Sequence, residues 1–295
     1  MRGRHRRGFR LYDLSVVLLL LLIAAAGWLY GGPPEEAQRR RQALVTGIDN
    51  FLGNMGTPEV IAQYGGVDDD PAINARVQAV FAKVAPAARE MRGELRYEIS
   101  VLKSEIPNAF SLPGGRTFIT RGLIELLDDD DEIAGVIGHE LAHTVLSHGS
   151  KAFGRDLGMI LFLDFLVDKV EPHQRKDAAE LASLSYALVS TGYSRQAENE
   201  ADELGFLFAA RAGYDPVGLA DALEKIEAWQ RQQPKTGGSR EVPEFFRTHP
   251  LTENRVRRIR SLAQEMGYDV YVPGDAVTEA LRRYHQELLE ADGQE

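Results

Sequence analysis

The residues His139-Glu140-Leu141-Ala142-His143 form an HExxH motif inside an apolar pattern that is typical of a helix. Residues four apart lie on one face of an α-helix, so the two imidazoles can bind one metal ion from the same side. Glu140 lies one step round the helix and can reach a water on that ion without being a ligand. The motif therefore predicts one Zn²⁺ per chain, with His139 and His143 as ligands and Glu140 as the catalytic base.

A catalytic zinc usually has three protein ligands and one open position, so a third ligand has to come from another part of the chain. The metzincin extension of the motif would need Gly at position 146 and His at position 149. This sequence has Leu146 and Gly149, which excludes that class. His148 follows His143 by five residues and falls off the shared face, so we interpret it as a solvated or helix-end histidine.

An acidic segment further along the chain, Ser194 to Asp202, offers the third ligand. Glu198 and Asp202 are four residues apart and share a helix face. Glu198 would complete a His/His/Glu set, and Asp202 would accept the far N–H of His139 or His143. Glu200 points to another side of the helix and is the alternative third ligand. On its own the segment would be an acidic solvated helix face, and the HExxH motif disfavours that interpretation.

HExxH followed at this distance by Glu-x-x-Ala-Asp resembles the HtpX and CAAX-prenyl-protease type of zinc metallopeptidases, in the gluzincin clan. Three further segments are similar to that family, and the similarity extends over roughly residues 75 to 265. They are Asn108-Ala-Phe-Ser-Leu-Pro-Gly-Gly115, Thr120-Arg-Gly-Leu123 and His249-Pro-Leu-Thr-Glu-Asn-Arg255. The multi-span membrane body of HtpX and the prenyl proteases has no counterpart here, and no tetratricopeptide array follows. We therefore expect the compact, single-anchor or secreted branch of the family.

The resemblance implies an α+β fold that is mainly α, of the gluzincin type, with a small sheet of three or four strands beside the HExxH helix. It implies hydrolysis of peptide bonds at a zinc ion held by His139, His143 and Glu198. The oxyanion of the reaction needs a further hydrogen-bonding or positive group. We expect His249 to be that catalytic group, with Arg255 and Tyr193 as further candidate transition-state stabilisers.

Two alternatives for His249 stay open. In the first alternative, His249, which precedes Pro250 at a loop-to-helix junction, caps the N-terminus of the next helix. In the second, it occupies the open zinc position and holds the enzyme latent.

The chain before the HExxH helix predicts the sheet. Residues 95–103 alternate as a strand, and residues 108–120 form a hairpin around Pro113-Gly114-Gly115. An extended substrate can pair with an exposed sheet edge, and we expect this hairpin, with Asn108 and Phe110, to supply it. The four aspartates 128–131 predict an acidic cap for the following helix and lack the spacing of a calcium loop.

The remaining pattern predicts helices separated by two loops. The predicted helices are residues 35–52, 71–91, 158–170, 178–212, 216–231, 251–266 and 275–290, and the predicted loops are residues 53–71 and 233–248.

The N-terminus predicts passage across a membrane. Arginines are concentrated in the first ten residues, and the run Leu14 to Tyr30 contains no charge. It is either a short transmembrane anchor or a signal peptide with a small-residue site at Ala24-Ala25-Ala26. Both interpretations leave the basic end in the cytoplasm and the body on the periplasmic side. The expected domains are 1–32 for this segment, 33–272 for the peptidase and 273–295 for a C-terminal helix and tail.

Composition excludes several classes. The chain has no cysteine, which excludes disulfides and thiolate ligands, and its net charge of −10 argues against nucleic-acid binding. The sequence therefore predicts a zinc metalloendopeptidase that cleaves unfolded or damaged extracytoplasmic polypeptides. The alternatives are a latent or chaperone-like zinc-binding module and a metallohydrolase that acts on a non-peptide substrate.

Overall fold

The computed structural model describes residues 31–152, 192–233, 244–250, 253–267 and 274–292. In chain order, the helices and strands of these ranges are α1 Pro34–Gln63, α2 Pro71–Met91, β1 Glu98–Leu102, β2 Ala109–Leu112, β3 Arg116–Thr120, α3 Arg121–Leu126, α4 Asp130–Val145, α5 Arg195–Arg211, α6 Gly218–Gln232, α7 Glu244–Thr248, α8 Glu253–Glu265 and α9 Gly274–Asp292. Residues 148–152 are also helical. The predicted fold class, mainly α with a small sheet, is confirmed.

The described residues form one three-stranded sheet in the order β1-β3-β2. β3 pairs in parallel with β1, with Glu98 opposite Arg116, and antiparallel with β2, with Ala109 opposite Ile119. The predicted hairpin is confirmed, and Gly114 and Gly115 of its turn have φ values of 86° and 94°, which suit glycine. β2 is thus an edge strand of the sheet.

The last part of α1 contradicts the predicted loop at 53–71, because the helix continues to Gln63. The loop was predicted partly from the glycines of this segment, but Gly53 has a packing role inside the helix. A Cβ atom at Gly53 would lie 2.0 Å from the carbonyl oxygen of Pro113, so this glycine allows the helix to approach the hairpin turn. Val60 then packs into the apolar cluster of the sheet, whose members are Val60, Tyr64, Leu102, Phe110, Leu112 and Phe118. Tertiary packing therefore outweighs the low helix propensity of the segment.

The acidic run before α4 caps that helix, as predicted. Asp129 has an extended backbone, and its side chain accepts a hydrogen bond from the Glu132 amide. Asp130 and Asp131 lie in the first turn, where negative charge offsets the helix dipole. α4 therefore begins at a fixed residue, and this sets the depth at which His139 and His143 lie in the core.

α4 is buried along almost its whole length, between α5, α6, α2 and the sheet. Two glycines permit its closest crossing. A Cβ at Gly138 would lie 2.6 Å from the Gly205 carbonyl oxygen, and a Cβ at Gly205 would lie 2.6 Å from the His139 amide nitrogen. The backbones of α4 and α5 therefore touch directly beside the HExxH motif, which brings the acidic start of α5 to the two histidines.

Two further predicted boundaries are corrected. The helix predicted at 178–212 begins, in its described part, only at Arg195, because Ser194 caps it and Gly192 has a φ of 74°. Within the loop predicted at 233–248, residues 244–248 form the short helix α7. Residues 178–191 lie outside the described ranges.

The predicted helix at 158–170 and the run Leu14 to Tyr30 also lie outside the described residues. Among the helices of the described ranges, none combines enough length and hydropathy to cross a bilayer.

The chain divides into two compact units. One comprises residues 46–286 and contains the sheet and the HExxH helix, and the other comprises residues 1–45 with residues 287–295. The domain limits expected from the sequence, 33–272 and 273–295, stay a prediction.

Candidate metal centre

Three predicted ligands lie close together in the core. Nε2 of His139 is 3.0 Å from Nε2 of His143 and 3.6 Å from Oε2 of Glu198. Nε2 of His143 is 3.4 Å from Oε1 of Glu198. Zinc–ligand bonds of about 2.0–2.1 Å in a tetrahedron place two ligand atoms about 3.3–3.4 Å apart. The three donors are therefore spaced as the ligands of one tetrahedral zinc ion would be.

His249 supplies a fourth atom to this group. Its Nδ1 lies 3.2 Å from Nε2 of His139 and 3.1 Å from Oε1 of Glu198. These four residues form the set among the described residues that could hold a metal ion, and all four are buried. His249 ends α7 with its amide donating to the Phe245 carbonyl, and its ring faces the donors. It therefore does not cap the next helix, whose first residue is Glu253.

Glu140 supports the assignment of a metal and water site on independent grounds. Both of its carboxylate oxygens are buried and have no hydrogen-bond partner. Nε2 of His249 lies 3.3 Å from Oε1. A buried carboxylate without hydrogen bonds is costly, because burial removes its water and no donor replaces it in hydrogen-bonding geometry. A carboxylate beside three clustered donor atoms is placed to contact a water on a metal ion that those donors hold. The residues present therefore suit zinc.

Asp202, the expected partner of a ligand histidine, lies beside His139. Its Oδ1 is 3.0 Å from Nδ1 of His139, on the side of the ring away from the donor cluster. Arg255 donates to both oxygens of Asp202, from Nε at 2.8 Å and from Nη2 at 2.7 Å. Nη1 of Arg255 also lies 2.7 Å from Oε2 of Glu198. Arg255 therefore connects a donor carboxylate with the carboxylate behind His139.

The charges of these groups follow from burial and from their neighbours. Burial lowers the pKa of His143 well below its usual value, which leaves a neutral imidazole able to bind metal. Burial disfavours ionisation of Glu198, but the charges of His249 and Arg255 outweigh it, so its pKa lies well below the usual value. Burial opposes protonation of His249, yet Glu198 and Glu140 raise its pKa. The cluster thus combines the ionised carboxylate of Glu198 with the neutral imidazole of His143.

His148 and Glu200 contact each other behind His143. His148 is 7% exposed, and its Nδ1 lies 2.9 Å from Nδ1 of His143, so it is not a solvated histidine. Glu200 does not reach the donor cluster and instead places Oε2 3.1 Å from Nε2 of His148. The prediction relied on the five-residue spacing between His143 and His148, which places them on different faces of a regular helix. α4 ends at Val145, and the turn at Ser147, with a φ of 54°, redirects the chain so that His148 faces back to His143.

Tyr193 stacks on His143, with ring centroids 4.0 Å apart and an interplanar angle of 20°. Its surroundings raise the pKa of its hydroxyl, through burial first and the charge of Glu140 second. A small cleft adjoins these rings, and its lining also includes Ser111, Ser147 and Asp49. Tyr193 therefore lies beside the donor cluster, in the lining of this cleft.

β2 lies beside α4 and α7, at the open edge of the sheet. The side chains of Asn108 and Phe110, expected at a substrate edge, are buried, and Asn108 donates to the Tyr64 hydroxyl. The Thr120 amide donates to the Asn108 carbonyl. Antiparallel alternation then turns the backbone of Phe110 toward β3 and the backbones of Ala109 and Ser111 toward the open edge. A pairing substrate would therefore meet Ala109 and Ser111.

Arg92 holds the C-terminal end of α4, the helix of the HExxH motif. It is buried, and its guanidinium donates to Asp49 in α1 and to the carbonyl oxygen of Thr144 in the last turn of α4. Burial opposes its charge, but Asp49 and Glu94 raise its pKa. A buried cation that bonds the last carbonyls of a helix also suits the negative end of the helix dipole.

Comparison with known proteins identifies similar sequences. A sequence model of Peptidase family M48 matches residues 71–263. The mitochondrial metalloendopeptidase OMA1 of Schizosaccharomyces pombe is 32% identical over 58% of this chain and 48% of its own length. A protease HtpX homolog of Methanopyrus kandleri is 35% identical over 65% of this chain and 68% of its own length. The β-barrel assembly-enhancing protease of Escherichia coli is 24% identical over 67% of this chain and 40% of its own length.

The resemblance to HtpX-type metallopeptidases, predicted from the motifs, is confirmed by these matches. The alignments cover only 33–55% of the length of the four OMA1 relatives from Schizosaccharomyces pombe, Homo sapiens, Arabidopsis thaliana and Saccharomyces cerevisiae.

Proposed function

The chain belongs to Peptidase family M48, and on this premise we propose that it is a zinc-dependent metalloendopeptidase whose metal ligands are His139, His143 and Glu198. The observation that carries the proposal is the spacing of three buried donors at 3.0–3.6 Å, beside a buried Glu140 without hydrogen-bond partners. Spacing of this kind suits a tetrahedral ion, and a free carboxylate beside it suits proton transfer.

Zinc bound by these residues would supply Lewis acidity, which polarises a carbonyl group and makes water a stronger acid. The chain's own residues would do the rest. Glu140 would accept a proton from the attacking water on one of its two free oxygens and then pass it to the leaving amine. Asp202 would hold His139 through its Nδ1 and keep Nε2 directed at the donors. Arg255 would hold Glu198 and Asp202 in their ionised forms.

A latent state is the second candidate, and the position of His249 favours it. A catalytic zinc site keeps one open position, and Nδ1 of His249 stands at the fourth corner of the donor set. With this ring in place, a substrate carbonyl would have no free position. The peptidase would then become active only when α7 moves and removes His249. The role of His249 as an oxyanion stabiliser requires the ring to stay nearby after that movement.

Polypeptides in extended conformation are the proposed substrates. Main-chain pairing with a sheet edge does not depend on the substrate sequence, which suits unfolded or damaged proteins. The outward backbones of Ala109 and Ser111 in β2 support this mode. α7, which carries His249 at its end, also lies beside β2. Movement of this one segment would therefore free the strand edge and the fourth metal position together.

The proposed location is the periplasmic side of a membrane, with residues 1–32 as an anchor or signal peptide and the peptidase in 33–272. The support is the arginine-rich start, the uncharged run Leu14 to Tyr30, and the names of the relatives. Those names place OMA1 in mitochondria and connect the Escherichia coli relative with β-barrel assembly. We propose that residues 1–32 contact the membrane. We do not propose nucleic acid as a partner.

Metal analysis and a protease assay test the proposed function. The purified full chain should contain one zinc per chain and cleave unfolded casein, and a chelator should remove both properties. Glu140→Gln should keep its zinc and lose cleavage, whereas Glu198→Ala should lose zinc. Ester substrates serve as the comparison, since ester hydrolysis without casein cleavage would indicate a non-peptide substrate. A protein without bound zinc, or a zinc-loaded Glu140→Gln variant that still cleaves casein, would contradict the proposal.

A further inference from the structure

The two nitrogens of His143 face different partners. Nε2 is directed at the donor cluster, 3.0 Å from Nε2 of His139. Nδ1 lies 2.9 Å from Nδ1 of His148, whose Nε2 in turn lies 3.1 Å from Oε2 of Glu200. His143, His148 and Glu200 therefore form a continuous hydrogen-bonded chain that leads away from the metal site.

Glu200, at the end of this series of hydrogen bonds, determines the tautomers of the two histidines before it. An ionised carboxylate only accepts hydrogen bonds, so Nε2 of His148 donates to Glu200. When the His148 ring carries a single proton, its Nδ1 has a lone pair and accepts the N–H of His143 Nδ1. His143 is left with its free lone pair on Nε2, which is the atom directed at the donor cluster. The chain thus selects the tautomer of His143 that can bind a metal.

Glu200 is itself held in place. Its Oε1 accepts a hydrogen bond from Gln196 Nε2 at 2.9 Å, one turn earlier on α5. Oε2 is thereby left for His148. α5 therefore contributes two acids with different tasks: Glu198 faces the metal position, and Glu200 faces the back of the second histidine.

His139 is supported in a parallel way by Asp202, but that support comes from a carboxylate in direct contact. Metal-binding histidines generally donate their second N–H to an oxygen acceptor, so an imidazole acceptor on His143 is unusual. His148 is 7% exposed, and α4 ends three residues before it, so its ring has little freedom to turn away. The geometry provides His143 with a rigid acceptor.

We propose that His148 and Glu200 are positioning residues that hold His143 in the orientation and tautomer that bind the metal ion. The inference rests on the proposed zinc site. It assigns to His148 a task that neither the HExxH motif nor the third ligand supplies, and it gives Glu200 a role other than that of a ligand.

Zinc affinity of the full chain, measured by competition with a chelator, tests the proposal. Glu200→Ala and His148→Phe should each weaken zinc binding roughly 10–100-fold, the usual cost of losing such a partner. Glu200→Gln should weaken it less, since its amide oxygen still accepts from His148. Glu203→Ala is the matched control, because Glu203 lies on the same helix and pairs with Arg258 away from the site. Its zinc affinity should equal that of the wild type.

Two further measurements separate positioning from general stability. Thermal unfolding of the metal-free proteins should give the same midpoint for Glu200→Ala as for the wild type. The absorption spectrum of the Co²⁺-substituted protein should change in Glu200→Ala and not in Glu203→Ala, because it reports ligand geometry.

Three results would separate the possible failures. Zinc affinity within about twofold of wild type in both Glu200→Ala and His148→Phe would overturn the inference and leave the zinc site intact. The inference would also be overturned if the metal-free Glu200→Ala protein were less stable than the wild type and this lower stability explained the whole loss of zinc affinity. If His148→Phe does not fold, Glu200→Ala and Glu200→Gln decide the question. A wild-type protein that binds no zinc would instead contradict the proposed function.

Discussion

Nδ1 of His249 lies 3.2 Å from Nε2 of His139, the separation of two ligands of one tetrahedral ion. The two residues are 110 positions apart in the chain, and each ring is almost completely buried. His249 directly follows the short helix α7, whereas His139 belongs to the long buried helix α4. The fourth member of the donor cluster is therefore attached to an element much shorter than those that supply the other three members.

Replacing His249 should release the activity of the proposed peptidase. In His249→Ala the fourth corner of the donor set is empty, so we expect faster casein cleavage and faster loss of zinc to a chelator. The rise would be about tenfold if about 90% of wild-type molecules hold the ring in place. Initial rates with equal zinc loading measure this effect. A tenfold fall at unchanged zinc content would instead assign His249 to oxyanion stabilisation.

Gly205 should be sensitive to the addition of a single methyl group. The Cβ of Gly205→Ala would lie 2.6 Å from the His139 amide nitrogen and 2.8 Å from its Cα, so α4 and α5 would have to separate. We expect a loss of about 1–3 kcal/mol in the free energy of unfolding, together with weaker zinc binding. Denaturant unfolding with and without zinc measures both quantities.

Gly47→Ala is the control for this comparison. A Cβ at Gly47 meets no atom within 4 Å, and the residue lies inside α1. This variant should be as stable as the wild type or slightly more stable, because alanine restricts the unfolded chain. Equal stability of Gly205→Ala and the wild type would show that the two helices can separate without cost.

Local signals in the sequence predicted which side chains cluster at the proposed metal site. The i, i+4 spacing gives the shared face of His139 and His143, and the same spacing pairs Glu198 with Asp202. The hairpin and the acidic cap of α4 depend on turn and cap residues, which act over a few positions. These features are local, so no knowledge of the tertiary fold was needed to find them.

The misplaced residues depend on contacts between distant parts of the chain. The helical form of residues 53–63 follows from the approach of Gly53 to Pro113, which no local pattern records. His148 was interpreted as a solvated or helix-end histidine because an ideal helix would carry it off the face of His143, and the turn at Ser147 changes that geometry. In both cases the backbone departs from the regular path on which the prediction relied.

Arg255→Lys should weaken the site although charge is preserved. Arg255 uses Nε and Nη2 on Asp202 and Nη1 on Glu198, and lysine can offer only one nitrogen. We expect a loss of about 3 kcal/mol in stability and roughly tenfold weaker zinc binding. Arg258→Lys is the control, because that arginine forms a partly exposed pair with Glu203. If kcat falls while stability and zinc affinity remain as in the wild type, Arg255 acts on the transition state.

The ion pair between Asp68 and Arg121 should make stability depend on acid pH. Arg121 donates to both Asp68 oxygens, at 2.7 and 2.8 Å, and this pairing lowers the pKa of the Asp68 carboxyl below its ordinary value. A lowered folded-state pKa stabilises the protein above the unfolded-state value of about 3.9, and this contribution disappears as pH falls through the folded-state pKa. The stability difference between wild type and Asp68→Asn should therefore be largest above about pH 5 and shrink below about pH 4. Urea unfolding of both proteins across this pH range measures the stability difference.

The neighbouring Asp69 pairs with Lys103 at an exposed position, so Asp69→Asn should change stability little at any pH. A difference for Asp68→Asn that stays constant from pH 7 to pH 3 would show that packing, and not ionisation, accounts for the contribution of Asp68.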